Sequence, residues 1–431
     1  MRRVAIIGSG IAGLCAAHAL RRDARVTLFE ATDWFGGHAH TVDVELDGIL
    51  HGVDTGFLVF NERTYPGLIR LFAELGVATA PSDMSFSVQS PDTGWEWCGS
   101  NLDSVFAQRS NLVSPRFWKM LSEIVRFNRL CTGLAQGNDA LDEPIGDFLD
   151  RNRFGRAFRD GYFLPMIGCI WSCPTDQMLR FPVGTMIRFC HNHGLIQLTD
   201  RPQWHTVKGG SARYVERIVW GIDDKRLGVA VRGVKRLPPG AGHAGVLVRT
   251  DHGTERFDDV VLATHTDTSM ALLEDADADE RSVLGAIRYQ PNRVVLHTDT
   301  AALPARRRAW AAWNYERAAD RSREQAAVCL HYLINRLQPL PWQQPVVVSM
   351  NPLRALRDES VLGEWIYDHP VFDRAAVEAQ QRLPSIQGRS HVWFCGAWAR
   401  YGFHEDGLMS GQAVAKALAA SWAASPSGVA A

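Results

Sequence analysis

The sequence predicts an α/β fold, a Rossmann-like nucleotide-binding domain interleaved with a second, α+β domain, and three observations carry that prediction. The chain opens with an apolar strand, a glycine-rich turn and an alanine-rich helix. A long helical stretch and a hairpin then interrupt the α/β pattern, and the last segment returns to strand, loop and helix. At 431 residues the chain also exceeds what one hydrophobic core usually supports.

Taken in order, "RVAIIG" is β-rich and apolar, "LCAAHALRR" is helical and "ARVTLFE" is a second buried strand, a βαβ start. From Met84 to Cys98 bulky and polar residues alternate around Pro91-Asp92-Thr93-Gly94, which predicts a hairpin in a different sheet. Residues from about 104 to 192 carry helical periodicity, as in "RFWKMLSEIVRFNRLC". "TVKGGSARYVERIV" predicts a glycine-opened helix, and the segment from Leu227 to Thr264 predicts short antiparallel strands returning to a buried one. The acidic run Glu274 to Glu280 reads as a solvated loop or helix start rather than a metal cage. "NRVVLHTD", "AWAAWNYE", "AAVCLHYLINRLQ" and "PVVVSM" predict strands that complete the hairpin's sheet; His297 and Trp313 lie on them and are assigned no catalytic part. The closing "HVWFCGAWARYGFHEDGLMSGQAVAKALAASW" predicts strand, loop and helix before a disordered tail.

Composition narrows the function. A formal net charge of -1 gives no field for polyanions, so no nucleic-acid partner is expected. The aromatic content, 14 Trp and 19 Phe, indicates a well-filled core and a greasy substrate. Eight scattered cysteines form no disulfide framework, which suits a reducing, cytoplasmic compartment. Cys169 and Cys173 with His191 and His193 match no standard zinc spacing, so no metal is expected. The uncharged run from Val4 to Leu20 has the look of a signal peptide, but its glycines stand where a phosphate-binding turn needs them. No apolar run reaches the roughly 20 residues of a spanning helix, which leaves at most peripheral membrane contact.

In "VAIIGSGIAGL" the pattern G-x-G-x-x-G sits directly between strand and helix, the context that gives it meaning. Gly8 makes the tight turn, Gly10 admits a pyrophosphate beside Ser9 and Ala12, and Gly13 lets helix and sheet pack. Glu30 ends the second strand about 20 residues on, where a carboxylate accepts from ribose hydroxyls. Ala31 follows it where an arginine would have suggested a 2′-phosphate. Gly36-Gly37 then offers a backbone without Cβ atoms to a ligand extending past the ribose.

The pattern "GxGxxGL…A…L…V…FEA…GG…T" resembles the flavin amine oxidase and phytoene-desaturase-like superfamily, and most of all its bacterial set of predicted NAD/FAD-binding proteins. The resemblance implies a Rossmann-like FAD-binding domain, residues 1–80, 205–275 and 385–425, interleaved with an α+β substrate domain, residues 81–204 and 276–384, ahead of a tail at 426–431. It implies FAD contacts from Gly37 and His38, from Asp54, Gly56 and Phe57 in "VDTGFLVF", from Val234 at the adenine, and from Ala263 and Thr264. Gly396 and the helix start Asp406-Gly407-Leu408-Met409 complete the set, with amides facing the flavin pyrimidine oxygens. His38 stands where relatives usually carry arginine, and His404 where amine oxidases place a cage tyrosine, so a two-tyrosine amine cage is not supported. Cys395 is read as a buried thiol and not a flavin link.

A single dinucleotide fingerprint and the lack of a C-x-x-C pair exclude a pyridine-nucleotide disulfide reductase, so electrons come from the substrate. The expected reaction passes a hydride from a lipophilic substrate, such as an acyl or isoprenoid chain, to the flavin, with oxygen or another acceptor reoxidising it. His404 and Glu405 are the candidate catalytic groups, and Tyr401 and Trp398 are expected to shape the pocket. The alternatives are a redox-neutral flavin-dependent isomerase and a non-catalytic escort protein on the same fold.

Overall fold

A computed structural model of the chain describes residues 1–90, 94–137, 141–197, 201–238, 244–320 and 327–424. Strand β1 (Arg2–Ile7), helix α1 (Ile11–Leu20) and β2 (Ala24–Phe29) form the opening unit, with β1 and β2 parallel. Ala5, Ile6, Leu14 and Ala16 are fully buried, because a parallel strand under a crossover helix is covered on both faces. A hairpin of β3 (Thr41–Leu46) and β4 (Ile49–Asp54) follows, turning through Asp47 and Gly48, both at positive φ. Then come β5 (Phe60–Asn61), α2 (Pro66–Leu75), β6 (Thr79–Ser82) and the expected hairpin β7 (Phe86–Ser90) and β8 (Trp95–Cys98), whose turn residues Pro91 to Thr93 lie outside the described residues.

The helical stretch between 102 and 192 includes α3 (Pro115–Gln136), capped by the Ser114 side chain, and α4 (Val183–Asn192). Strand β9 (Trp204–Val207) pairs with β5 and β6, and the glycine-opened α5 (Ala212–Trp220) leads to β10 (Asp224–Arg226). An antiparallel excursion, β11 (Val231–Arg236), β12 (Val246–Thr250) and β13 (Gly253–Phe257), returns to the buried β14 (Asp259–Leu262). The acidic run starts α6 (Ala278–Leu284) through a reciprocal capping box between Asp277 and Glu280. It is not a wholly solvated segment, because Glu280 is fully buried and pairs with Arg236.

The second sheet has seven strands in the order β19-β15-β18-β17-β16-β7-β8, using β15 (Arg288–His297), β16 (Trp313–Glu316), β17 (Cys329–Leu333), β18 (Val347–Met350) and β19 (Val361–Val371). All four strands expected after residue 290 therefore join the hairpin's sheet, and β16 meets β7 in parallel. The long edge strand β19 was not predicted. The chain closes with β20 (Val392–Phe394) and α7 (His404–Ala424), and the tail 426–431 lies outside the described residues. β20 completes a five-stranded parallel sheet, β10-β2-β1-β14-β20, assembled from the beginning, middle and end of the chain. No helix among the described residues is long and apolar enough to cross a membrane.

Candidate cofactor-binding cleft

The glycine turn divides its labour as expected from the spacing. A Cβ on Gly8, which has φ +99°, would stand 2.7 Å from the Ala263 carbonyl oxygen and 3.1 Å from Thr264 Cγ2. This puts Ala263 and Thr264 against the phosphate loop. A Cβ on Gly13 would lie 2.0 Å from the Gly8 oxygen, so α1 closes on the turn only with glycine there. A Cβ on Gly10 meets nothing within 4 Å, so the space its missing side chain leaves is open to a ligand and not used for internal packing.

Ser9 ties the loop to the end of β2. Its backbone N–H and hydroxyl both donate to Glu30 Oε2, at 3.0 and 2.5 Å, while its oxygen accepts from the Gly36 N–H at 3.1 Å. Glu30 Oε1 accepts from the Thr32 amide and hydroxyl, both at 3.0 Å. Ala31 is exposed beside it. The glycine pair is required by proximity: Gly36 has φ +121° and a Cβ there would meet the Ala39 oxygen at 2.4 Å, while one on Gly37 would meet Gly10 Cα at 3.1 Å. Gly10, Glu30 and Gly36-Gly37 thus form one continuous wall. Ala12, in the first turn of α1, is buried beneath the last helix.

The wall continues through His38 and the segment after β4. The Phe57 N–H donates to the His38 carbonyl at 2.7 Å, and a Cβ on Gly56 would lie 2.1 Å from that oxygen. The Phe57 ring stacks on His404 with centroids 3.8 Å apart and planes at 11°. His404 Nε2 lies 2.6 Å from the Tyr214 hydroxyl, and burial lowers the His404 pKa to about 3, so the imidazole is neutral. His38 packs against Tyr367 at 5.1 Å, His369 at 5.3 Å and His265 at 6.3 Å between ring centroids. Burial, then the neighbouring His369, His265 and His404, hold its pKa well below the ordinary value. His38 Nε2 is screened from solvent and finds no partner among the described residues.

The start of α7 reaches the same place from the far end of the chain. A Cβ on Gly407 would meet Ile11 Cγ2 at 2.6 Å, and one on Gly411 would meet the Ala12 oxygen at 2.1 Å, so α7 and α1 cross at backbone contact. The Gly396 N–H donates to Ser410 at 3.2 Å, fixing the loop after β20 to this helix.

Several expected site residues do other work. Glu405 accepts from the Gly67 and Leu68 amides at 2.7 and 2.9 Å, so its buried carboxylate holds the N-terminus of α2. Asp406 accepts from the Phe403 amide at 3.0 Å and caps α7, and burial raises its pKa to about 6. Asp54 is buried among Thr41, Ser211 and Gln338, which all donate to it, and it knits the β3–β4 hairpin to the start of α5. Gly407 N–H already donates to the Phe403 carbonyl, so the free amides of α7 are those of His404, Glu405 and Asp406, one step earlier than the Asp406 to Met409 expected. Leu408 is fully buried, and the Met409 side chain is exposed on the outer surface beside Arg400. Trp398 donates to the Thr264 carbonyl at 3.0 Å within the core under the parallel sheet. The Val234 carbonyl accepts from the Glu274 amide at 3.0 Å, in the loop that follows Leu273.

Tyr401, by contrast, lines a cavity of ≈ 300 Å³ with Trp171, Phe181, Met186 and Phe372, bordered by Arg188 and Arg400. Tyr214, His265, Tyr367 and His369 were missed. The last two carried a signal, since Trp365, Tyr367 and His369 alternate on one face of β19, the period-two pattern of a half-buried strand. Tyr367 hydrogen-bonds His40 and Thr55, both at 2.7 Å.

The geometry has the form of a Rossmann-type dinucleotide cleft: the open cradle at Gly10 and the His38 nitrogen, without a partner among the described residues, both fit an extended, phosphate-bearing ligand. Residues 6–75 match the family model of the NAD(P)-binding Rossmann-like domain. The chain is 29% identical over 317 residues to the carotenoid phi-ring synthase of Streptomyces griseus, a match covering 67% of this chain and 58% of that protein's length. Among solved structures it is similar to cyclohexylamine oxidase from Brevibacterium oxydans IH-35A, with 17% identity, TM-score 0.68 and coverage of 98% and 99% of the two chains. It is similar also to the CLA-producing fatty acid isomerase from P. acnes, with 17% identity, TM-score 0.67 and coverage of 96% and 98%. The chain has the fold of the flavin amine oxidase and desaturase-like superfamily.

Proposed function

We propose that this chain is an FAD-dependent oxidoreductase that removes hydride from a lipophilic small molecule. The observation that carries the reading is the uninterrupted wall from Gly10 through Glu30, Gly36-Gly37, His38 and Phe57 to the start of α7, contributed by both ends of the sequence. In this reading residues 1–80, 205–275 and 385–425 form the cofactor domain, and residues 81–204 and 276–384 the substrate domain.

FAD held along this wall would supply the two-electron redox chemistry, taking hydride from the substrate and giving the electrons to oxygen or another acceptor. The protein's own groups position and enclose. Glu30, preset by Ser9 and Thr32, accepts from the ribose hydroxyls, and the loop amides around Gly10 receive the pyrophosphate at the positive end of α1. Neutral His38 offers Nε2 as a single donor or acceptor to the cofactor rather than the fixed charge of an arginine. The free amides at the start of α7 would stabilise negative charge on a reduced ring held beside them. His404, clamped between Phe57 and Tyr214, closes the ring end and excludes water. With Glu405 and Asp406 committed to helix termini, neither stands ready to take the proton that must leave the substrate along with the hydride, so that proton goes to another group or to solvent.

Trp171, Phe181 and Phe372 give the Tyr401 cavity aromatic surface for an apolar chain, while Arg188, Arg400, Gln380 and Gln381 in the same lining offer contacts to a polar end, and similarity to a protein named for a carotenoid supports an apolar substrate. Anaerobic mixing with polyenes, fatty acids and amines tests the reading. Bleaching of the flavin by a lipophilic compound is expected; bleaching by small polar amines alone overturns the substrate class, and turnover without accumulated reduced flavin indicates isomerisation.

A further inference from the structure

The seven-stranded sheet buries an unusual polar face. Tyr315 and Leu330 point toward the helical layer, where Gly168 packs on Tyr315, so Glu316, Cys329 and His331 point to the opposite side by strand alternation. Register brings them together: Glu316 is directly opposite Cys329 across β16 and β17, and His331 stands two residues further along the same strand. His331 Nε2 lies 3.0 Å from Glu316 Oε2 and 3.4 Å from Cys329 Sγ, and the sulfur lies 4.0 Å from the same carboxylate oxygen. Three ligand atoms on one face of a tetrahedral zinc site, with bonds of about 2.0–2.3 Å, are roughly 3.3–3.5 Å apart. The three separations here bracket that range.

We propose that Glu316, Cys329 and His331 form a binding site for a divalent transition metal of the zinc class, independent of the cofactor cleft. One carboxylate, one thiolate and one imidazole are the donor set such an ion takes. The surrounding groups orient the ligands as outer partners of a metal site do. His331 Nδ1 is 2.6 Å from the Ser349 hydroxyl, which is itself 2.6 Å from His297 Nε2, and Arg354 holds the other Glu316 oxygen at 2.7 Å. The Asp299 amide donates to His297 Nδ1, so His297 carries its proton on Nε2 and donates to Ser349. Ser349 in turn donates to His331 Nδ1, and in the metal-free protein His331 presents an N–H to Glu316. Coordination takes the Nε2 lone pair and the thiolate: the thiol proton leaves to solvent, the proton of His331 moves to Nδ1, and the Ser349 hydroxyl turns its own hydrogen away so that its oxygen accepts from Nδ1–H as well as from His297. Arg354, about half exposed, separates the site from solvent and marks the route of entry.

The test uses the flavin-loaded full chain. Protein equilibrated with stoichiometric Zn²⁺ and passed through a desalting column is expected to retain one equivalent by elemental analysis, with an X-ray absorption spectrum showing one sulfur scatterer. Cys329→Ser and His331→Gln are expected to lower retained zinc at least tenfold, whereas Cys173→Ser leaves it unchanged. The spectrum is read on unaltered protein, so it decides the matter even where a variant fails to fold. Retention below a tenth of an equivalent, or a shell of nitrogen and oxygen alone, overturns the proposal.

Discussion

Replacing Gly10 by alanine separates the two demands that the phosphate loop makes on its glycines. Gly10 has φ −60° and ψ 171°, a conformation alanine adopts freely, and its added Cβ meets no atom within 4 Å. The apo-protein is therefore expected to gain about 0.4–1 kcal/mol, because alanine restricts the unfolded chain. The same Cβ projects into the space assigned to the pyrophosphate. Displacing the phosphate from even one loop amide forfeits a charge-assisted hydrogen bond of about 1.5–3 kcal/mol, at least a tenfold loss of affinity. Thermal melting of the apo form and fluorescence titration of deflavinated protein with FAD read the two effects separately. Gly13→Ala is the contrast, since its Cβ would stand 2.0 Å from the Gly8 oxygen and must damage folding and binding together. A Gly10→Ala protein that binds FAD within twofold of the parent would refute the assignment of that space.

Glu405→Gln leaves one of two buried helix amides facing an NH₂ group and is expected to cost about 1.5–3 kcal/mol in denaturant unfolding, with the rate of flavin reduction within a few-fold of the parent; a large rate loss at unchanged stability would restore a catalytic role. Gly411→Ala forces α7 away from the Ala12 oxygen, 2.1 Å from the new Cβ, and is expected to cost about 1–3 kcal/mol and to weaken FAD retention; an unchanged melting temperature would contradict the close crossing. Burial lowers His369 and His40 to about 4 and His404 to about 3, so between roughly pH 4 and 6.5 the unfolded chain binds more protons than the folded one. Their stabilisation is complete above pH 6.5 and is lost as pH falls, by up to about 3 kcal/mol for His369 alone. Asp54 and Asp406, raised by burial to about 6, act in the opposite sense over the same interval but are outnumbered. Urea unfolding is expected to show lower stability at pH 5 than at pH 7, with a smaller difference in His369→Gln; equal midpoints would contradict the neutral cluster.

The N-terminal half of the cleft was legible because its chemistry is local. Spacing alone identifies Gly8, Gly10, Gly13 and Glu30, and the second glycine pair makes sense as the backbone that lies against Gly10. The ring end was legible only by resemblance, since it depends on contacts between residues hundreds of positions apart, such as Tyr214 with His404 and His38 with His369. Glu405 shows why a motif names neighbours better than roles: it follows His404, which stacks on Phe57, but the start of α2, remote in sequence, claims its carboxylate. Trp398 likewise sits in the expected loop with its ring turned into the core under the parallel sheet. The strand β19 went unrecognised because exposed Val361, Leu362 and Ile366 blur its alternation, although Trp365, Tyr367 and His369 keep it.

Identification of the chromophore released from the purified protein by heat is the most direct measurement of the central claim. One equivalent of FAD per chain, with affinity at least tenfold weaker in Gly10→Ala, is the expected result. A colourless protein that takes up no added FAD would contradict the account.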